Sequence, residues 1–262
     1  MANTYLYFSN ALDAATLTAT CASGFPKENL QDRDKKSPAM PASAGTYIVD
    51  VDAGENVIAG AIMIPGNNAY SQAITGLNVQ HDDNGGYTSP TDVVGSVGSP
   101  HAPTANDEPT WFELFSGVEP NKTDRYWRVR FAGATTALEI GDIYLAERIT
   151  VRDLSDVARH PGGAWSVSDE PQGQTTDERG VIHAVSWGVG RDVISVQFRA
   201  IPKALVDEIM EAHKSIVRGS WLPWWYSNEY GVLKHVRFDG RPQANHLGKL
   251  WDLTMQLKEE PA

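Results

Sequence analysis

The sequence predicts a mainly β protein of two modules, a β-sandwich or jelly roll over residues 1–147 and a smaller β-sandwich carrying one α-helix over residues 148–262. Three observations predict it. Short apolar segments ending in Gly, Asn, Asp or Pro recur through the first half, the punctuation of strands and turns. Only one stretch of the chain repeats its apolar residues at helical spacing. The charge also changes character near Glu147: residues 1–147 hold 8 Lys/Arg against 18 Asp/Glu, whereas residues 148–262 hold 14 against 15.

The first-half strands read as "TYIVDVDAG", "VIAGAIMIPGNN", "AITGLNVQHDDNGG", "TWFELFSG", "RYWRVRFAGA" and "ALEIGDIYLAE". In "YWRVRF" the alternation places Trp127, Val129 and Phe131 on the core face and Tyr126, Arg128 and Arg130 on the other. "VVGSVGSPHAPTANDEPT" lacks a period and is rich in Gly, Ser and Pro, so it reads as a surface loop.

Beyond Glu147, "ARHPGGAWSVSDEPQG" supplies breakers, and "GVIHAVSWGVG" with "DVISVQFRAIP" reads as a hairpin closed by "GVGRD". The helix starts at Pro202, aligns Leu205, Ile209, Ala212 and Ile216 on one face, and stops at Gly219. The strand segments "LPWWYSNEYG", "VLKHVRFDG" and "LWDLTMQLKE" follow it.

Several function classes are excluded or disfavoured. Hydrophobic residues at 41% and charged residues at 21% describe a globular chain, and no apolar run is long enough for a transmembrane helix. A net charge of −11 without a basic half argues against nucleic acid as a partner. The N-terminus has no basic start followed by an apolar block, so synthesis in a cytoplasm is expected. Cys21 is the single cysteine, which rules out an internal disulfide or a cysteine zinc cluster.

No GxSxG, HExxH, P-loop or GxGxxG pattern occurs, and the expectation is a protein that is not an enzyme and uses no cofactor. "HDDNGG" at residues 81–86 lacks a full calcium-loop spacing and reads as a polar hairpin turn, so no metal is assigned.

Three segments in order carry a family likeness: "SGFPKENLQDRDKKSPAM", "YIVDVDAGENVIAGAIMIPGNN" and "RYWRVRFAGATTALEIGDIYLAE". Their aromatic-Pro-x-x-Asn-Leu opening, apolar strand ending in Asp-x-Gly and final "EIGDIYL" resemble the discoidin-like (F5/8 type C) jelly roll of bacteriophage tail proteins. The second half, with one helix followed by "WLPWW", resembles the distal or minor tail proteins of phages. The resemblance implies a structural component of a tail tip or baseplate, located in the virion tail. It further implies a ring of six copies, or three, linking the tail tube to hub and fibre proteins.

On this reading the aromatic stretch "WLPWWYSNEYG" supplies an assembly interface through Trp221, Trp224, Trp225, Tyr226 and Tyr230. Pro223 places that strand late or at a sheet edge, and alternation sends Trp224 and Tyr226 to one side and Trp225 to the other. The alternative is a carbohydrate-binding module for a host surface glycan, with Tyr70, Tyr87 and Trp111 stacking on sugar and Asn68 and Asp83 as polar partners.

Overall fold

The computed structural model describes residues 4–34, 36–103, 110–114, 122–151, 166–169, 174–176, 182–184, 192–227 and 233–260. Mainly β structure in two compact units is observed: Ser9–Arg148 is one, and Met1–Phe8 with Ile149–Ala262 is the other. The first strands in chain order are β1 (Thr4–Tyr7), β2 (Thr16–Thr18), β3 (Gly45–Ala59), β4 (Ala61–Ile64) and β5 (Gly76–Asp82). They are followed by β6 (Thr91–Val94), β7 (Thr110–Glu113), β8 (Lys122–Ala134) and β9 (Tyr144–Ala146).

The Ser9–Arg148 unit is a jelly-roll sandwich. Its larger sheet has the order β2-β3-β8-β5-β6 and its smaller one β7-β4-β9, with antiparallel pairing throughout. Non-consecutive neighbours such as β3-β8-β5 are what a jelly roll requires. Between the sheets lie Val49, Val51, Val79, Trp127, Val129, Phe131, Ile62, Ile64 and Leu145, all buried. Each such side chain contributes about 1.5–3 kcal/mol when taken out of water. As the period-two pattern requires, Trp127, Val129 and Phe131 turn inward, leaving Tyr126, Arg128 and Arg130 on the outer face.

The remaining strands are β10 (Ile149–Val151), β11 (Ser166–Asp169), β12 (Gln174–Thr176), β13 (Ile182–Ala184) and β14 (Asp192–Ile201). After the helix come β15 (Trp224–Ser227), β16 (Leu233–Phe238), β17 (Gln243–Leu247) and β18 (Leu250–Glu259). Eight strands make one sheet in the order β10-β1-β15-β16-β18-β14-β11, with β17 also on β18. The helix α1 (Lys203–Glu211) buries Val206 and Ile209 in the same core as Leu253, Met255 and Leu257.

Four expectations are corrected here. Residues 1–8 do not belong to the jelly roll: β1 pairs with β10 and β15 in the other unit. The strand after Pro223 is consequently no edge, because β15 is bonded to β1 on one side and β16 on the other. β14 takes β11 and β18 as partners, and β13 pairs with β12, so the expected hairpin between those two runs is not formed among the described residues; residues 188–191 of its "GVGRD" connection lie outside them.

The helix also departs from its expected stripe. It starts at Pro202 as read, but α1 passes into a π-helical turn at Ala212–Ile216, closed by a bond from the Val217 N–H to the Ala212 carbonyl at 3.0 Å. The wider turn advances the phase by one residue. Val217 is therefore buried where Ile216 was expected, and Ile216 is exposed. The helical turns end at Ile216, short of the expected stop, and Gly219 follows in the turn beyond, in the left-handed region at φ +73°.

Candidate functional site

The outer face of the jelly roll's larger sheet gathers its ionic and phenolic side chains. β8 runs between β3 and β5, and its register sets three rows: Ile48–Arg130–Asn78, Asp50–Arg128–Gln80 and Asp52–Tyr126–Asp82. Arg128 donates from Nε and Nη2 to the two oxygens of Asp50, at 2.5 and 2.9 Å. Arg125 makes the same fork onto Asp52, at 2.6 and 2.8 Å.

Simple alternation would send Arg125 inward. The β3–β8 register slips between Asp52 and Val57, and at that bulge Arg125 turns to meet Asp52 instead. Bidentate guanidinium–carboxylate pairs of this kind hold both groups in one plane.

The loop after β5 folds back over this face. Asp82 is buried, and its carboxylate accepts the backbone N–H groups of Asn84 and Ser89, at 3.0 and 3.2 Å. Asn84 Oδ1 takes the Gly86 N–H at 2.9 Å, and the Tyr87 N–H bonds the Asn84 carbonyl at 2.9 Å. These contacts make "HDDNGG" the polar turn expected of it.

The turn puts Tyr87 in the left-handed region, at φ +49°, a costly place for a bulky residue. Its hydroxyl donates to the Trp127 carbonyl at 2.5 Å, and the Arg128 guanidinium sits 3.8 Å from its ring centroid. Beside it, Arg125 lies 4.9 Å from the Tyr126 ring, and Gly85 packs so close to that ring that a Cβ there would stand 2.9 Å from it.

Towards β6 the floor is closed: Asn78 and Gln80 are buried, and their amide groups donate to Asp92 Oδ1 at 2.9 and 2.8 Å. Towards β3 it is open, with side-chain exposures of 40% for Arg125 and 36% for Asp52.

The electrostatics follow from these bonds. The side-chain hydrogen bonds from Arg125, then the Gly54 N–H, hold the Asp52 carboxyl down at about 2. Hydrogen bonding to Asp52 and Asp50 raises Arg125 and Arg128 in turn. Burial, then the Asp50 charge, pushes the Tyr87 phenol above its usual range.

Elsewhere in the same unit, burial holds Asp142 well above the carboxylate range; its Oδ1 accepts the Ile143 N–H at 2.7 Å and its Oδ2 has no hydrogen-bond partner. Among the described residues no group of three or more His, Cys, Asp or Glu side chains is arranged to hold a metal ion. Cys21 is half-buried with its Sγ 3.1 Å from the Tyr47 hydroxyl.

The residues read from sequence as sugar contacts do not converge. Tyr87 and exposed Asp83 lie in the loop after β5, on the face just described. Asn68 and Tyr70 lie in the loop before β5, seven strand residues away, or about 20 Å. Asn68 uses its side chain internally, donating to the Ala137 carbonyl at 3.0 Å and accepting the Glu139 N–H at 2.8 Å; it builds the loop on which Tyr70 stands 53% exposed. Trp111 is on β7 in the other sheet, in register with Met63.

The aromatic segment is likewise dispersed. Trp224 and Tyr226 are buried in the core of their own unit, and Trp225, equally buried, stacks on His235 on the opposite face at 4.5 Å. They are buried within the chain rather than an exposed assembly surface, Trp224 against Phe8 and Phe238 and Trp225 against His235. Trp221 is 79% exposed, and Tyr230 lies outside the described residues.

No protein-family model matches the sequence, and no curated protein matches it. Solved structures do. The chain is similar to the module CpGH89CBM32-6 produced by Clostridium perfringens, with 18% identity and a TM-score of 0.42, covering 53% of this chain and 99% of the module. It is similar to the family 32 carbohydrate-binding module of C. perfringens NanJ, solved with galactose, at 14% identity and a TM-score of 0.42 over 55% of this chain and 99% of that one. A third is chitosan-binding module 1 from a chitosanase/glucanase of Paenibacillus sp. IK-5, at 15% identity and a TM-score of 0.40 over 52% and 97%.

Proposed function

We propose that the Ser9–Arg148 unit is a non-catalytic glycan-binding module and that its surface is the outer face bounded by Asp52, Tyr126 and Tyr87. The observation that carries this reading is the conformation of Tyr87. A bulky residue stays at φ +49° only where its surroundings enforce it, and such strain clusters at ligand sites. Here it fixes a phenol ring beside two guanidinium–carboxylate forks. A sugar offers hydroxyl groups that both donate and accept, on a ring with apolar C–H faces. Fixed donors, fixed acceptors and phenol rings on one surface match that chemistry.

The test is a glycan array probed with the full chain and with the Tyr126→Ala variant. Binding by the parent and at least tenfold weaker binding by the variant are expected; a parent that binds no glycan sinks the proposal.

A second reading, a structural component of a phage tail tip that assembles into a ring, is favoured by Trp221. An indole left 79% in solvent is costly surface that an assembly contact would cover. Light scattering on the full chain decides it: a mass that stays at one protomer at every concentration and with neighbouring tail proteins present rules the reading out.

A further inference from the structure

We infer that the glycan held by this face is uncharged, and that Asp50 and Asp52 enforce that choice. The inference rests on the glycan-binding proposal above and adds the class of ligand.

An acidic sugar, whether a uronic acid, a sialic acid or a sulfate ester, is recognised best by a guanidinium that presents two parallel N–H groups to it. In both arginines here the side-on edge of that kind, Nε with Nη2, is taken by a carboxylate. The Nε and Nη2 edge of Arg128 is closed by Asp50, and the same edge of Arg125 is closed by Asp52. What each fork leaves is the end-on Nη1/Nη2 edge of a guanidinium whose charge the clasped carboxylate already offsets, together with carboxylate lone pairs. That set puts donors beside acceptors, suited to a pair of neighbouring hydroxyls, and offers an anion only a cation already paired with a carboxylate.

The surrounding charge points the same way. The two guanidinium groups are bonded to Asp50 and Asp52, and Asp82 stands in the same row as Asp52, so carboxylates outnumber cations around the forks. Further along the face, Arg130 shares a row with Asn78, whose amide donates to Asp92 Oδ1. An incoming anion meets like charge within a few ångströms, well inside the roughly 8 Å screening length at physiological salt.

Asp52 is the residue to change, being the more exposed of the two acids, at 36% against 31%. The experiment compares the full chain with Asp52→Asn on an array that carries each neutral oligosaccharide beside its sialylated, uronic-acid and sulfated counterparts. The parent is expected to favour neutral members at least tenfold. Asp52→Asn, by opening the Arg125 fork, is expected to gain at least tenfold on acidic members. The double variant Asp52→Asn/Arg125→Gln, which removes the freed cation, is expected to lose that gain.

Asp50→Asn, which opens the Arg128 fork, provides the same readout if Asp52→Asn does not fold. Equal binding of neutral and acidic members by the parent overturns this inference and leaves the glycan reading standing. An unchanged preference in the folded single variant also overturns it. Absence of binding to either class overturns both.

Discussion

The guanidinium of Arg128 stacks 3.8 Å from the centre of the Tyr87 ring while Asp50, on the neighbouring strand, grips it through both carboxylate oxygens. A loop residue is thereby tied to two strands of the sheet through one cation. The Tyr87 hydroxyl adds a third tie, to the Trp127 carbonyl.

These ties separate into measurable parts. Tyr87→Phe removes the hydroxyl bond and keeps the stacked ring, so it is expected to cost about 1 kcal/mol of stability and leave glycan affinity within twofold. Tyr87→Gly relaxes the left-handed backbone but discards the ring, and is expected to abolish binding. Denaturant melts read the first effect and calorimetric titration with an array-identified glycan reads the second.

Two of the perturbed carboxyls, Asp142 and Asp52, give stability profiles of opposite sign. Asp142 is raised in the folded chain, so the unfolded chain ionises first, and this group erodes stability as pH climbs from about 4 towards its folded value. Asp142→Asn is therefore expected to raise the melting midpoint at pH 7, with an advantage that shrinks as pH falls to 4. Asp52 is depressed to about 2. Its contribution is present above about pH 4 and is lost as pH falls towards 2, and Asp52→Asn is expected to flatten that acid limb. Thermal melts between pH 2 and 7 check both.

The tryptophans of the aromatic segment are expected to behave differently from one another. Trp224 is fully buried, with its ring 4.4 Å from that of Phe8 and 5.0 Å from that of Phe238. Trp224→Ala is expected to cost about 3–5 kcal/mol, the usual penalty for emptying such a site. Trp221→Ala is expected to leave stability within about 0.5 kcal/mol, as surface changes do, and to lower any concentration-dependent mass. Denaturant melts and light scattering on both variants distinguish a core ring from a contact ring.

Much of the fold was legible in the sequence because its signals are local. Alternation in "YWRVRF" separates Trp127, Val129 and Phe131 from the outer face, and Pro202 and Gly219 bracket the helix. What pairing decides was not legible. Nothing in "TYLY" says that it completes a sheet more than 140 residues away, and the π turn that buries Val217 in place of Ile216 is a change of phase within an otherwise regular stripe.

The site was half legible. Tyr87 stands out as an aromatic at a turn, whereas alternation places Arg128 only on an outer face and singles out none of Asp50, Asp52 and Arg125. The signal that could have found them is partial: "DVD" on one strand and "RYWRVR" on another carry opposite charges, but Arg125 and Arg128 are three residues apart against two for Asp50 and Asp52, so only the strand pairing and its bulge show that they meet. Asn68 and Tyr70 drew notice for the same reason as Tyr87, and it takes the run of β5 to show that they stand at the other end of the sheet.

The most direct test of glycan binding at this face is a two-dimensional ¹⁵N NMR titration of the full chain with a neutral oligosaccharide selected on the array. Saturable shifts are expected in the Nε–H signals of Arg125 and Arg128 and in the amides of Gly85, Gly86 and Tyr87, with the Asn68–Ile74 loop unmoved. Shifts confined to that loop or to the Ile149–Ala262 segment, or none at saturating sugar, would contradict it.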